Sequence, residues 1–108
     1  MPGVVHDRLI LQEDGVIFAT LMLDPEGERV GEPSILSRGF VMLSDDEAYS
    51  DLLGAALIKA FDEAPVSIRK DREALKELLR QSLRRVIRKT TQTRPLVVPV
   101  ILDAPAES

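Results

Sequence analysis

The chain of 108 residues contains no cysteine, no tryptophan and a single histidine, His6. Without cysteine it can form neither a disulfide framework nor a thiolate metal site, which favours an intracellular protein. One histidine excludes a multi-histidine metal cage, and its place near the N-terminus is typical of an exposed residue rather than of a catalytic triad. No apolar run approaches the roughly 20 residues of a membrane-spanning helix, and no signal-peptide pattern opens the chain. We therefore expect a cytoplasmic protein without membrane contact.

Other patterns that would carry chemistry are also missing. The six glycines are scattered and form no phosphate-binding loop. The four aromatic residues give no strand the paired platform of an RNA-recognition sheet. The acidic run Asp45-Asp46-Glu47 lacks the spacing of a calcium loop and is explained by a helix cap. The sequence therefore predicts no catalytic residue, no metal ligand and no cofactor in this chain.

The charge is divided unevenly along a chain of ordinary globular composition. Hydrophobic residues make up 44% and charged residues 30%, which is enough for one folded domain with a real core. Residues 1–64 carry 13 acidic and 4 basic residues, net −9, whereas residues 65–108 carry 5 acidic and 10 basic residues, net +5. Two interpretations of the basic half stay open. It is a solvated helix face, or it contacts RNA phosphates through Arg80, Arg84, Arg85 and Arg88, which have Lys89 and Arg94 beside them.

Three short apolar runs predict β-strands over residues 16–23, 35–43 and 95–102. The turn sequence Asp24-Pro25-Glu26-Gly27 follows the first run and predicts an antiparallel return. The second run has Arg38-Gly39 at its centre, where glycine marks a bulge or the close approach of another backbone. Because proline cannot donate to a ladder, Pro33 is expected at the start of its strand or on a sheet edge, and Pro99 on an edge or at a bulge.

Two amphipathic helices separate the second and third strands. Ser44–Glu47 forms a capping box that starts the first helix, and Pro65 ends it. The second helix begins near Asp71 and ends in a basic turn. The predicted fold class is α+β, a small three-stranded β-sheet packed against two α-helices in the order β-β-α-α-β. We expect a linker or N-terminal extension over residues 1–15, the domain over residues 16–103 and a flexible tail over residues 104–108.

Both faces of this sheet are mainly apolar, because alternate strand residues point to opposite sides and both sets are hydrophobic. Two one-sided helices can cover only one face, so the other is expected to meet a partner, a second copy or the rest of a longer chain. The candidate interface residues are Arg38, Phe40, Met42, Val98 and Val100. Alternatively, the helices are divided between the faces, or residues 1–15 and 24–34 cover one of them. Arg38 is either an interface anchor or an edge charge that discourages aggregation.

Several short pieces of the chain are similar to one known domain. They are Asp7-Arg8, Glu13-Asp14-Gly15, the strand Ile35–Val41 that contains "SRGFV", and the strand Thr93–Ile101, "TRPLVVPVI". In this order and separation they resemble the C-terminal domain of bacterial ribonuclease J, of the metallo-β-lactamase/β-CASP ribonuclease family. The likeness covers nearly the whole chain and implies a three-stranded sheet on two helices.

The resemblance also implies the work of the parent protein. That is a metal-dependent ribonuclease, using zinc or manganese, with 5′-to-3′ exonuclease and endonuclease action in mRNA decay and rRNA maturation. The family's metal ligands lie in an HxHxDH motif that this chain lacks, so no catalytic residue is carried over. The implied role is a non-catalytic domain that supports self-association, as a dimer or tetramer, and full activity. Its partners would be the rest of the ribonuclease J chain and, through the parent, RNA. A free-standing protein–protein adaptor is the alternative.

Overall fold

A computed structural model of the chain describes residues 15–39 and 47–105. Its elements are β1 Val16–Leu23, β2 Arg29–Arg38, α1 Glu47–Glu63, α2 Val66–Arg69, α3 Arg72–Thr91 and β3 Leu96–Asp103. The predicted fold class is confirmed: a three-stranded sheet packs against two long helices. Among the described elements, only the single turn α2 was not predicted by the sequence patterns; it lies in the short connection between those helices.

β1 and β2 form a hairpin whose turn is organised by Asp24. One oxygen of its carboxylate, Oδ1, accepts hydrogen bonds from the backbone N–H groups of Glu26 and Glu28, both at 2.9 Å. The backbone N–H of Gly27 donates to the carbonyl of Asp24 at 2.9 Å, and the positive φ of Gly27, 87°, suits a residue without Cβ. The antiparallel pairing of β1 and β2 that the turn sequence predicted is thus confirmed.

β1 is the central strand of the sheet. β2 pairs with it antiparallel on one side and β3 pairs with it parallel on the other, giving the order β2-β1-β3. Pro33 and Pro99 therefore both lie in edge strands, as predicted. The pairing of β1 with β2 shifts between Thr20 and Met22. The extra β2 residues at this bulge include Gly31, which has a φ of 70°.

The prediction for the second strand was wrong at its start and at its centre. β2 begins earlier, at Arg29, and ends at Arg38. Gly39 is the turn that follows the strand, with a φ of 74°, and a Cβ built on it would lie 3.4 Å from the Cα of Gly15. The glycine therefore permits a close backbone approach, which is one of its two predicted uses. Residues 40–46, with Phe40, Met42 and the predicted cap Ser44, lie outside the described residues.

The core lies between one face of the sheet and the two long helices. β1 contributes Ile17, Ala19, Leu21 and Leu23; α1 contributes Tyr49, Leu53, Leu57 and Phe61; α3 contributes Leu75, Leu79, Leu83 and Ile87; and β3 contributes Val97. Each helix presents these residues at a spacing of four, as one apolar stripe. Both helices cover the same sheet face, so the alternative that they are divided between the faces is wrong. Residues 24–34 form the hairpin turn and the first part of β2, and do not cover the other face. Residues 1–14, the other predicted cover, lie outside the described residues.

The ends of α3 are closed by local hydrogen bonds. The side chain of Asp71 accepts from the backbone N–H of Ala74 at 3.2 Å, which caps the N-terminus. At the C-terminus Gln92 takes a left-handed conformation, and its N–H donates to the carbonyl of Arg88 at 3.1 Å. The hydroxyl groups of Tyr49 and Thr90 lie 2.7 Å apart and join the start of α1 to the end of α3.

We predict that Leu79→Ala lowers the free energy of unfolding by about 2–5 kcal/mol, because it opens a cavity in the packed core. Leu52→Ala is the matched control, since Leu52 lies on α1 with 43% of its surface exposed. This control should cost no more than about 0.5 kcal/mol. Urea denaturation followed by circular dichroism measures both. Equal losses in the two variants would contradict the described core.

The N-cap of α3 gives a second prediction. Asp71→Ala should lower the free energy of unfolding by about 1 kcal/mol, because the N–H of Ala74 loses its acceptor. Asp71→Asn keeps an acceptor oxygen at the same position and should cost less than about 0.5 kcal/mol. A thermal unfolding series compares the two. The cap is not the cause if both substitutions cost the same.

Candidate interaction surface and basic groove

The sheet face that points away from the helices is called here the outer sheet face. Its side chains alternate along β1 with the buried ones, and the strand register groups them into four rows across the sheet. These rows, in the order β2, β1, β3, are Arg38–Val16–Leu96, Leu36–Phe18–Val98, Ser34–Thr20–Val100 and Val30–Met22–Leu102. The rows of Phe18 and Met22 are apolar on all three strands, and the row of Val16 is apolar on two. No described helix packs on this face.

The row of Phe18 is the apolar centre of the outer sheet face. Phe18 lies between Leu36 and Val98, and directly opposed residues of neighbouring strands have Cβ atoms about 5 Å apart. Phe18 is 36% exposed and Leu36 is 64% exposed. Large apolar side chains with this exposure, side by side, form a continuous patch rather than isolated surface residues. Within residues 15–39 and 47–105, nothing covers this apolar face.

Of the five candidate interface residues, Arg38, Val98 and Val100 lie on the outer sheet face. Phe40 and Met42 lie outside the described residues. Arg38 is at the rim, in the row of Val16, and within residues 15–39 and 47–105 it forms no ion pair.

The sequence-based choice of interface residues omitted Phe18, Leu36, Leu96 and Leu102, all of which are exposed on this face. Alternation along the same strands could have identified them.

The four arginines predicted for RNA contact all lie on α3 but differ in their surroundings. Arg80 is engaged by Glu77: its Nη2 donates to both carboxylate oxygens, at 2.6 and 2.7 Å, and its Nε donates at 3.1 Å. These hydrogen bonds, with one from Gln81, lower the pKa of the Glu77 carboxyl. The charge of Arg80 is therefore largely compensated within the helix.

Arg84, Arg85, Arg88 and Lys89 have no such carboxylate. Together with Gln81 they line a shallow groove on the C-terminal half of α3. No described carboxylate lies within ion-pair distance of these four side chains, and the sequence has no acidic residue between Glu77 and Asp103. The structure thus brings three of the four predicted arginines together, with Lys89 beside them.

A small pocket adjoins this groove where α3 leads into β3. Arg84 and Arg88 line it from the helix, Thr93, Arg94 and Pro95 line it from the connection to β3, and Ile87 lines it as well. The hydroxyl of Thr93 lies 2.6 Å from that of Thr91. We call Arg84, Arg85, Arg88, Lys89, Thr93 and Arg94 the basic groove. Sequence reasoning placed Arg94 beside the arginines of the helix but missed Thr93, which reaches the helix only in the folded chain.

The residues described do not form a metal-binding group. Within residues 15–39 and 47–105, no three or more His, Cys, Asp or Glu side chains are close enough to hold a metal ion. In the same ranges, no helix has the length and apolar character needed to cross a membrane.

Comparison of the sequence with known proteins assigns this chain to a family. The family model of the ribonuclease J C-terminal domain matches residues 3–104. Ribonuclease J 2 of Staphylococcus saprophyticus is 33% identical over 104 residues, which cover 93% of this chain, and Ribonuclease J 2 of Staphylococcus aureus shows the same values. The chain spans 18% of the length of these curated relatives. The match over nearly every residue agrees with the resemblance carried by "SRGFV" and "TRPLVVPVI", and the chain belongs to the ribonuclease J C-terminal domain family.

Proposed function

We propose that this domain is the non-catalytic C-terminal part of a ribonuclease J-type enzyme and supports that enzyme's self-association and full activity. The parent would hydrolyse RNA in the cytoplasm, by 5′-to-3′ exonuclease and endonuclease action in mRNA decay and rRNA maturation. Zinc or manganese would be held in its catalytic domain rather than here. The two relatives are both named Ribonuclease J 2, which supports this assignment of the parent.

The observation that carries the proposal is the apolar outer sheet face. Phe18, Leu36 and Val98 form its centre, and Leu96 and Leu102 extend it along β3. Burying such a patch against a second surface releases water from apolar area, which is the main driving force of protein association. A second copy supplies a matching surface automatically, because a two-fold interface uses the same patch on both subunits.

The geometry suits two sheets stacked face to face. Sheets in such packings lie about 10 Å apart, with the side chains of the inner faces interdigitated. The large Phe18 and Leu36 would then enter spaces between the smaller Val98, Val100 and Thr20 of the other copy. Arg38 at the rim would stay near water, where a charged group costs little.

The helix layer is a poor alternative for an apolar contact. Outward positions of α1 and α3 are largely charged or polar, including Asp51, Lys59, Glu73, Gln81 and Arg85, all of them exposed. Their burial would require a partner for each charge. Burial of the outer sheet face would need no such partners, because Arg38 is the one charged residue in its four rows and lies at the rim.

A pair of matched substitutions tests the proposal in the full-length protein that carries this domain. Leu36→Asp places a charge at the centre of the outer sheet face, where Leu36 is already 64% exposed, so folding should survive. We expect the dissociation constant for self-association to rise by about 30-fold or more, the effect of losing one interface hot spot. Sedimentation velocity over a concentration series measures it.

Leu52→Asp is the control, because it makes the same change at an exposed leucine of α1, away from the sheet. It should leave self-association unchanged. Ribonuclease activity measured on the same samples should fall with the loss of the assembled form in Leu36→Asp only. An unchanged dissociation constant in Leu36→Asp, with the fold intact by circular dichroism, would overturn the assignment of this face.

A further inference from the structure

We propose that the basic groove binds the phosphodiester backbone of single-stranded RNA. Arg84, Arg88 and Arg94 surround one phosphate group at the pocket, and Arg85 and Lys89 meet neighbouring phosphates along α3. The choice of RNA among polyanions rests on the function proposed above. The choice of the site rests on charge and geometry alone.

The first reason is a concentration of cations that form no ion pair with a described carboxylate. Arg84 lies near enough to Glu77 to help lower the pKa of that carboxyl, but the ion pair of Glu77 is with Arg80. The chain as a whole is acidic, with a net charge of −4, so an extended RNA can be attracted only by a local concentration of cations. The basic groove is that concentration: Arg84, Arg85, Arg88 and Lys89 have no described carboxylate within ion-pair distance. Arg80 and Arg72 on the same helix do have such carboxylates, in Glu77 and Asp103.

Stabilisation of the helix explains only part of this pattern. Cations favour the negative end of a helix dipole, but the effect falls off within the last turn. Arg88 and Lys89 lie in that turn, whereas Arg84 and Arg85 lie before it. The carbonyl of Arg88 is already satisfied by the N–H of Gln92. Arg84 and Arg85 therefore need another explanation.

The second reason is that two elements converge on one pocket. Arg84 and Arg88 are one helical turn apart, a rise of about 6 Å, and both line the pocket to which Arg94 comes from the connection to β3. The guanidinium group presents a planar fork of donors that fits two phosphate oxygens. The hydroxyl of Thr93 adds a short polar group at the same pocket.

The lining residues also determine whether the groove can recognise the base sequence of the RNA. Among the described residues, no aromatic side chain lines the groove or the pocket, so this lining offers bases no surface on which to stack. Contacts to phosphate carry no sequence information. The proposed binding is therefore electrostatic, dependent on salt and indifferent to sequence.

The position of the groove fits a role beside a nuclease. β3 begins next to the start of β1, where the N–H of Leu96 donates to the carbonyl of Gly15 at 2.9 Å. The basic groove lies at this end of the sheet, because α3 leads directly into β3. The described chain also begins at this end of the sheet, so the basic groove and the start of β1 lie on the same side of the domain.

The test uses a fluorescein-labelled oligouridine and the chain itself, with anisotropy measured over a series of salt concentrations. The double variant Arg84→Gln/Arg88→Gln should weaken binding about tenfold. Its slope of log affinity against log salt should be shallower by about 1.4, since each lost phosphate contact on a single strand accounts for about 0.7.

The control is Arg72→Gln/Arg80→Gln, which makes the same charge change on the same helix at arginines engaged by carboxylates. It should keep the affinity and slope of the unsubstituted chain. Equal losses of affinity in both double variants would show a general effect of charge and would overturn the proposed site. Binding of polyglutamate as tight as that of oligouridine would overturn RNA as the ligand.

The RNA-binding test can be separated from the test of self-association. Leu36→Asp should leave oligouridine binding intact, since the outer sheet face and the basic groove share no residue. A chain that binds no RNA in low salt would overturn the groove proposal and leave the interface proposal standing. Conversely, loss of self-association without loss of RNA binding in Leu36→Asp supports both.

Discussion

The structure depends on an imbalance between one small sheet and the helices available to cover it. β1 is apolar on both sides, and its inner residues Ile17, Ala19, Leu21 and Leu23 are sealed by α1 and α3. Because both helices are used on that side, nothing in the described part of the chain covers Phe18 and its neighbours. Hydrophobic burial on the inner side of the sheet thus stabilises the fold. The apolar side chains that stay exposed on the outer side form the surface available for association.

The two candidate surfaces make different physical demands. The outer sheet face is apolar, so its contacts gain from water release and change little with salt. The basic groove gains from the release of counterions and weakens as salt rises. They lie on different layers of the domain, one on the sheet and the other on α3 and the chain that follows it. The two proposed contacts, with a second copy and with RNA, would therefore not compete for the same surface.

Sequence patterns predicted the elements well because the relevant periods are local. The alternation in β1 and the four-residue spacing on α1 and α3 need no knowledge of distant residues. The limits of β2 could not be predicted in this way, since its first residues pair with β1 only beyond a bulge, and Gly39 turns the chain out of the strand. Among the candidate sites, the engagement of Arg80 by Glu77 is a local i, i+3 pair and was readable. The approach of Thr93 to Arg84 and Arg88 could not be predicted, because it depends on how the chain passes from α3 into β3.

Both edge strands carry a proline, Pro33 in β2 and Pro99 in β3. A proline interrupts the row of donors that another strand would use, so neither edge favours continuous pairing with a neighbour. Growth of the sheet sideways, which would yield open-ended fibrils, is thereby discouraged on both flanks. What is left is contact through a face, and face-to-face contact between two copies closes on itself. The prolines thus bias this domain toward assemblies of finite size.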